Sequence, residues 1–154
     1  MQPSLLLALA LLGTASALCS ASWHAAEVPA GTGEEGSKFR FVVVNKWRTY
    51  NNAKCYCQRV YKGQLASVHS TATNEQLRNL AATYTSCRLW IGAVTTRKNG
   101  KWRTSWEDLS PWNYANWASR RRCHLFSTCT TLSPKDGLWR SSRCFALRPF
   151  ICQY

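Results

Sequence analysis

Acidic side chains are scarce in this chain: seven Asp and Glu stand against 20 Lys and Arg. Histidine is scarcer still, and His24, His69 and His124 fall in no nucleophile or metal-spacing motif. Glu107 and Asp108 are adjacent, but no pair of groups set up for general acid and base roles can be identified. A Gly-rich phosphate loop is missing. Together these absences argue against an enzyme, and neither a cofactor nor a metal ion is expected. No Asn-x-Ser/Thr sequon occurs, so N-glycosylation is not expected. No apolar stretch is long enough to cross a bilayer as a helix.

What is present is positive charge, unevenly placed. Glu27, Glu34 and Glu35 precede the first basic residue, Lys38. From Lys38 onward, twenty cations face four acids. Solubility needs a much smaller excess. A field of this size favours polyanions: sulfated glycosaminoglycans first, anionic membrane surfaces second. Nucleic acid is chemically accessible to such a surface, but the leader described next argues against it as a physiological partner.

Leu5 to Leu12 is a short apolar run, and Ala15-Ser16-Ala17 is a small-x-small cleavage site. Residues 1–17 therefore read as a secretory signal cut after Ala17. Eight cysteines in a chain of 154 residues agree with an oxidising compartment. Secretion, or storage in secretory granules, is the expected location. Residues 18–37 are small, polar and mildly acidic, a flexible linker or short pro-segment. Residues 38–154 form one domain. Eight tryptophans suit a compact core of mixed polarity, because each buried indole N–H needs a partner.

Within the domain, Phe39 to Val44 is apolar and β-branched, a strand. Ala53, Tyr56, Cys57 and Val60 recur at helical spacing between Thr49 and Tyr61, with Gly63 as the stop. Gln64 to Val68 reads as a short strand. A second helix is expected from about Thr73, with Thr73 and Gln76 as a capping box and Leu77, Leu80, Ala81 and Tyr84 along one face. Leu89 to Val94 is a strand, Asn99-Gly100 a tight turn, and Trp102 to Trp106 the returning strand. A long aromatic loop then runs from Trp106 to Cys123 and ends in Arg120-Arg121-Arg122. His124 to Thr130 is a weak strand, Asp136-Gly137 turns into Leu138-Trp139-Arg140, and Phe150-Ile151-Cys152 closes the chain. Helices early and short strands late indicate an α+β fold.

The same residues carry a resemblance. Ala53-x-x-x-Cys57, Leu65-Ala66-Ser67-Val68, Trp90-Ile91-Gly92, Trp106-Glu107-Asp108, Asn116-Trp117, Cys123, Trp139-x-x-x-x-Cys144 and Phe150-Ile151-Cys152 follow in an order similar to the C-type lectin domain. The likeness covers about Lys38 to Tyr154, and the basic composition points to a strongly cationic, granule-stored branch. It implies a lectin-like fold with two helices, short antiparallel strands and a long loop. It also implies two disulfides, Cys57 to Cys152 and Cys123 to Cys144, leaving Cys19, Cys55, Cys87 and Cys129 unassigned. Lectins of this kind that bind sugar through calcium supply oxygen ligands from the long loop and from a Trp-Asn-Asp strand. Here Ala118-Ser119-Arg120-Arg121-Arg122 and Trp139-Arg140-Ser141 stand in those places, and guanidinium groups would repel the ion. The same groups can fork onto sulfate or carboxylate directly. Arg120, Arg121, Arg122, Arg140 and Arg143 are therefore the candidate glycan-binding residues, with Trp117 to stack on a sugar face. Arg97, Lys98, Lys101 and Arg103, around the tight turn, form a second basic patch that could extend the anion track.

Overall fold

The structure is a computed structural model, and it describes residues 39–119 and 125–154. The expected signal, the linker, Arg120, Arg121, Arg122 and Cys123 lie outside those residues. The elements run β1 (Phe41–Arg48), α1 (Tyr50–Val60), β2 (Gln64–Leu65), α2 (Thr71–Tyr84), β3 (Leu89–Lys98), β4 (Lys101–Trp106), β5 (Thr128–Leu132), β6 (Trp139–Ser142) and β7 (Arg148–Gln153). One sheet holds the strands in the order β1-β7-β3-β5-β6, with β2 paired to β7 and β4 to β3. The α+β expectation and the two early helices are observed.

Alternation along the central strands explains the layering. Phe41, Val43, Leu89, Ile91 and Ile151 join the cluster that takes in Leu77 and Ala81 of α2. Their neighbours Val42, Val44, Trp90, Phe150 and Cys152 join the cluster of Tyr50, Ala53 and Cys57 of α1. The helices therefore cover opposite faces. Strands buried on both faces read as unbroken apolar runs, which is how Phe41 to Val44 reads.

Helix α1 starts at Thr49, whose hydroxyl accepts from the Asn52 amide at 3.4 Å. Its buried stripe is Tyr50, Ala53 and Cys57. Val60, expected on that face, is exposed. The chain leaves the helix at Lys62 with φ of 55°, and Tyr61 packs on the cluster instead. Helix α2 starts earlier than expected. Ser70, in extended conformation, caps it by accepting from the Thr73 amide at 3.1 Å, so Thr73 lies inside the first turn.

The turn at Asn99-Gly100 has φ of 49° and 75°, the double left-handed geometry that suits a hairpin. Only two residues of the expected strand Gln64 to Val68 pair as strand; Ala66, Ser67 and Val68 are buried as a crossing segment. Gly92 makes that crossing possible, because a Cβ there would stand 2.7 Å from the Leu65 carbonyl oxygen.

The disulfide expectation is half right. Cys57 bonds Cys152, tying α1 to β7. Cys144, however, bonds Cys129, not Cys123. The antiparallel register of β5 and β6 sets Cys129 opposite Ser142, so Cys144, two residues on, returns to within 5.1 Å of the Cys129 Cα. Cys55 is disulfide-bonded, and Cys87 is a free thiol.

Candidate functional site

Trp139 at the head of β6 is the fixed point of the surface around the long loop. Its side chain is fully buried, and its indole N–H donates to Asn74 Oδ1 of α2 at 2.8 Å. The rings of Trp106, Trp112, Tyr114 and Trp117 surround it with centroids 5.5 to 6.0 Å away. The backbone does the same work: Trp139 N–H donates to the Asn116 carbonyl at 2.8 Å, and Ala118 N–H donates to the Trp139 carbonyl at 2.9 Å. Asn74 and Asn116 both donate to the Gly137 carbonyl at 2.9 Å. Farther along, His69 Nδ1 and Asn113 Oδ1 lie 2.8 Å apart. The loop is thus laid along β6 by aromatic packing and short polar contacts up to Ser119.

Trp117 is half-buried against the core, with its ring directed at Trp139 and Trp112. Arg140, next to Trp139, spends its fork on Asp136: Nη2 lies 2.7 Å from Oδ2 and Nη1 lies 3.3 Å from Oδ1. The hydrogen bond from Arg140 holds the Asp136 carboxyl well below its ordinary range, and the same bond raises Arg140. Arg143 is exposed in the turn after β6 and lies over the Phe145 ring at 5.9 Å. Arg140 and Trp117 therefore flank one tryptophan, whereas Arg143 sits past the end of the strand. Arg120, Arg121 and Arg122 are not among the described residues.

The second patch sits on the β3–β4 hairpin. Register pairs Thr96 with Arg103 and Lys98 with Lys101, so Lys98, Lys101 and Arg103 share one face. Arg97 pairs with Trp102 on the other. All four cations are exposed.

The domain's acids are committed elsewhere. Glu107 Oε2 meets Lys54 Nζ at 2.6 Å, and Glu75 meets Arg78 at 3.1 Å. Asp108 accepts from Ser67 Oγ at 2.6 Å, Gln153 Nε2 at 2.9 Å and the Ser110 amide at 3.0 Å. Burial opposes its ionisation, but these bonds outweigh that and lower its pKa. The adjacent acids are structural: they pin the start of the long loop to α1, to the crossing segment and to β7. Among the described residues, no group of three or more His, Cys, Asp or Glu could hold a metal ion. No helix among them is long and apolar enough to cross a membrane.

One feature has no local sequence signal. A pocket of about 550 Å³ opens between the end of β1, the α2–β3 connection, the β5–β6 turn and the start of β7. Arg88, Lys135, Arg140 and Arg148 line it, with Asp136 and Trp47. Trp47, Arg88 and the stretch from Lys135 to Arg148 are far apart in the chain, and only the sheet order gathers them.

A sequence model of the Lectin C-type domain matches residues 46–154. Over 120 residues the chain is 39% identical to eosinophil granule major basic protein 1 of Cavia porcellus, covering 74% of this chain and 50% of that protein. It is 36% identical to proteoglycan 3 of Mus musculus over 115 residues, 74% of this chain and 51% of that one. Bone marrow proteoglycan of Homo sapiens is 31% identical over 115 residues, 75% and 52% of the two chains. The chain thus spans about half the length of these relatives. Among solved structures, CEL-IV superposes with a TM-score of 0.68 at 22% identity, over 82% of this chain and 92% of that one. Human lithostathine gives 0.64 at 24%, over 82% and 98%.

Proposed function

The chain belongs to the C-type lectin domain family, and from that premise we propose that it is a cationic lectin-like binding protein for sulfated glycans of the heparan sulfate or heparin type, acting without calcium. It is a binding module with no catalytic step, and it serves immune defence after secretion or from granule stores. The disulfides and the relatives named for eosinophil granules support that location.

One observation carries the reading. All four acids among the described residues are engaged within the protein: Glu75, Glu107 and Asp136 by cations, Asp108 by hydrogen bonds. Among the described residues, no carboxylate is left to coordinate a cation or to screen the remaining basic surface. The ligand's own anions would fill that role at Arg140, Arg143 and Trp117, and Arg120, Arg121 and Arg122 are the further candidates by sequence. Arg97, Lys98, Lys101 and Arg103 would extend the track.

Heparin-column retention of the full chain tests this. Retention is expected to survive EDTA and to fall steeply as NaCl rises. Loss on chelation, restored by calcium, would refute it.

A second reading is favoured by a set of exposed apolar side chains. Leu125, Phe126, Phe145 and Leu147 are exposed on either side in sequence of the Cys129–Cys144 bond, with Arg143 among them. Cations beside bare apolar rings suit an anionic membrane surface. Leakage from anionic vesicles that soluble heparin suppresses would show that the two activities share one surface.

A further inference from the structure

We propose that the pocket between β1, the α2–β3 connection, the β5–β6 turn and β7 is a discrete site for one sulfated sugar residue, its sulfate held by Arg88, Lys135 and Arg148 and its ring laid on Trp47. The site deepens the glycan reading above and rests on it for the nature of the ligand.

Charge comes first. Four cations and one carboxylate line the pocket. Asp136 is already bound bidentately by Arg140, and every other acid among the described residues is engaged elsewhere. Arg88, Lys135 and Arg148 therefore converge with no carboxylate to neutralise them. Arg148 is half-buried, and both desolvation and the neighbouring Arg88 lower its pKa. Such a cluster is held together by the fold and relieved by an anion.

Preorganisation comes second. Arg148 lies over the Trp90 ring at 5.6 Å, and its Nε and Nη2 donate to Ser142 Oγ at 3.3 and 3.2 Å. Lys135 rides a turn that Arg78 clamps by donating to its carbonyl at 2.8 Å. Groups already fixed lose little entropy when a ligand arrives. Shape comes third. About 550 Å³ lies within the usual range for small-ligand pockets. Trp47 is 51% exposed at the rim, an apolar face suited to the C–H surface of a pyranose. A bare inorganic anion would have no use for that ring.

Cys87 also lines the pocket and is a free thiol, so the protein carries its own reporter. In the full chain, carbamidomethylation of Cys87 by neutral iodoacetamide is followed by peptide mass spectrometry. Heparin octasaccharide should slow the reaction several-fold, and desulfated octasaccharide should not. Arg88→Gln with Lys135→Gln should weaken octasaccharide affinity about tenfold, the loss of two charge-assisted contacts. The control removes equal charge at Arg40 and Arg59, both exposed. Arg40 lies seven strand residues, on the order of 20 Å, from Trp47. That pair should cost less than about threefold, as remote exposed charges do. Trp47→Ala, at a half-exposed position, should lose affinity without loss of fold.

If both charge pairs cost the same and Cys87 is unprotected while heparin still binds, the pocket is not the site and the glycan reading stands. If the unmodified protein does not bind heparin at all, both fall. If vesicles containing phosphatidylserine protect Cys87 and the octasaccharide does not, the occupant is a lipid headgroup and the proposal is wrong.

Discussion

Asn74→Ala should destabilise the domain by about 2–3 kcal/mol, and the reason can be worked out contact by contact. Asn74 is buried in α2 and joins two parts of the β5–β6 turn: it accepts from the Trp139 indole at 2.8 Å and donates to the Gly137 carbonyl at 2.9 Å. Alanine removes both contacts. Trp139 is fully buried, so its N–H is orphaned and costs about 1–3 kcal/mol. The Gly137 carbonyl keeps its bond from Asn116, so its loss is smaller. Alanine is the better helix former and returns at most about 0.7 kcal/mol, too little to reverse the sign. With a slope of about 1–3 kcal/mol/M, the urea midpoint should fall by about 0.7–3 M. Asn79→Ala, exposed on the same helix, should stay within about 0.5 kcal/mol of the parent. Amide exchange at Leu138 and Trp139 should accelerate only in the Asn74 variant. Equal midpoints for the two variants would refute the claim that this amide fastens the turn bearing Lys135 and Asp136.

Other outcomes follow from the same contacts. Asp108→Asn should lose about 1.5–3 kcal/mol near neutral pH. Because the folded pKa is depressed, that contribution is present above the ordinary carboxyl pKa of about 3.9 and fades as pH falls through the folded value. Acid titrations of parent and variant should therefore converge below about pH 4, and a constant gap would refute the assignment. Tyr50→Phe removes a buried hydroxyl that has no protein partner, so thermal melts should show unchanged or slightly raised stability. Replacing Cys129 and Cys144 by serine opens a loop of 15 residues, which chain-entropy reasoning values at about 3 kcal/mol. Serine at Cys123 and Cys144 instead leaves Cys129 unpaired, so Cys129 should take up a thiol label and show its mass shift. Asp136→Asn removes the pocket's one carboxylate and should raise heparin affinity up to about fivefold, read by salt elution.

The sequence alone determined the class of fold and the chemistry of the surface. Apolar runs at Phe41 to Val44 and Phe150 to Cys152 mark strands buried on both faces, and Asn99-Gly100 permits the positive φ values that a tight hairpin requires. The excess of cations is a matter of composition, and no folding changes it. Helix ends were less legible, because Ser70 and Thr73 can both cap and only the extended conformation of Ser70 decided between them. Partners distant in sequence were not legible. The choice of Cys129 over Cys123 follows from the β5–β6 register, which spacing does not encode. Arg140 reads as a free cation until the turn at Gly137 brings Asp136 onto it. Arg88, Lys135 and Arg148, from three separate segments, become neighbours only because β7 lies between β1 and β3 while β5 and β6 extend the sheet on the other side. Charge is a property each residue brings with it; a cluster of charges is a property of the packing, which holds them close because the apolar faces beneath them have nowhere else to go.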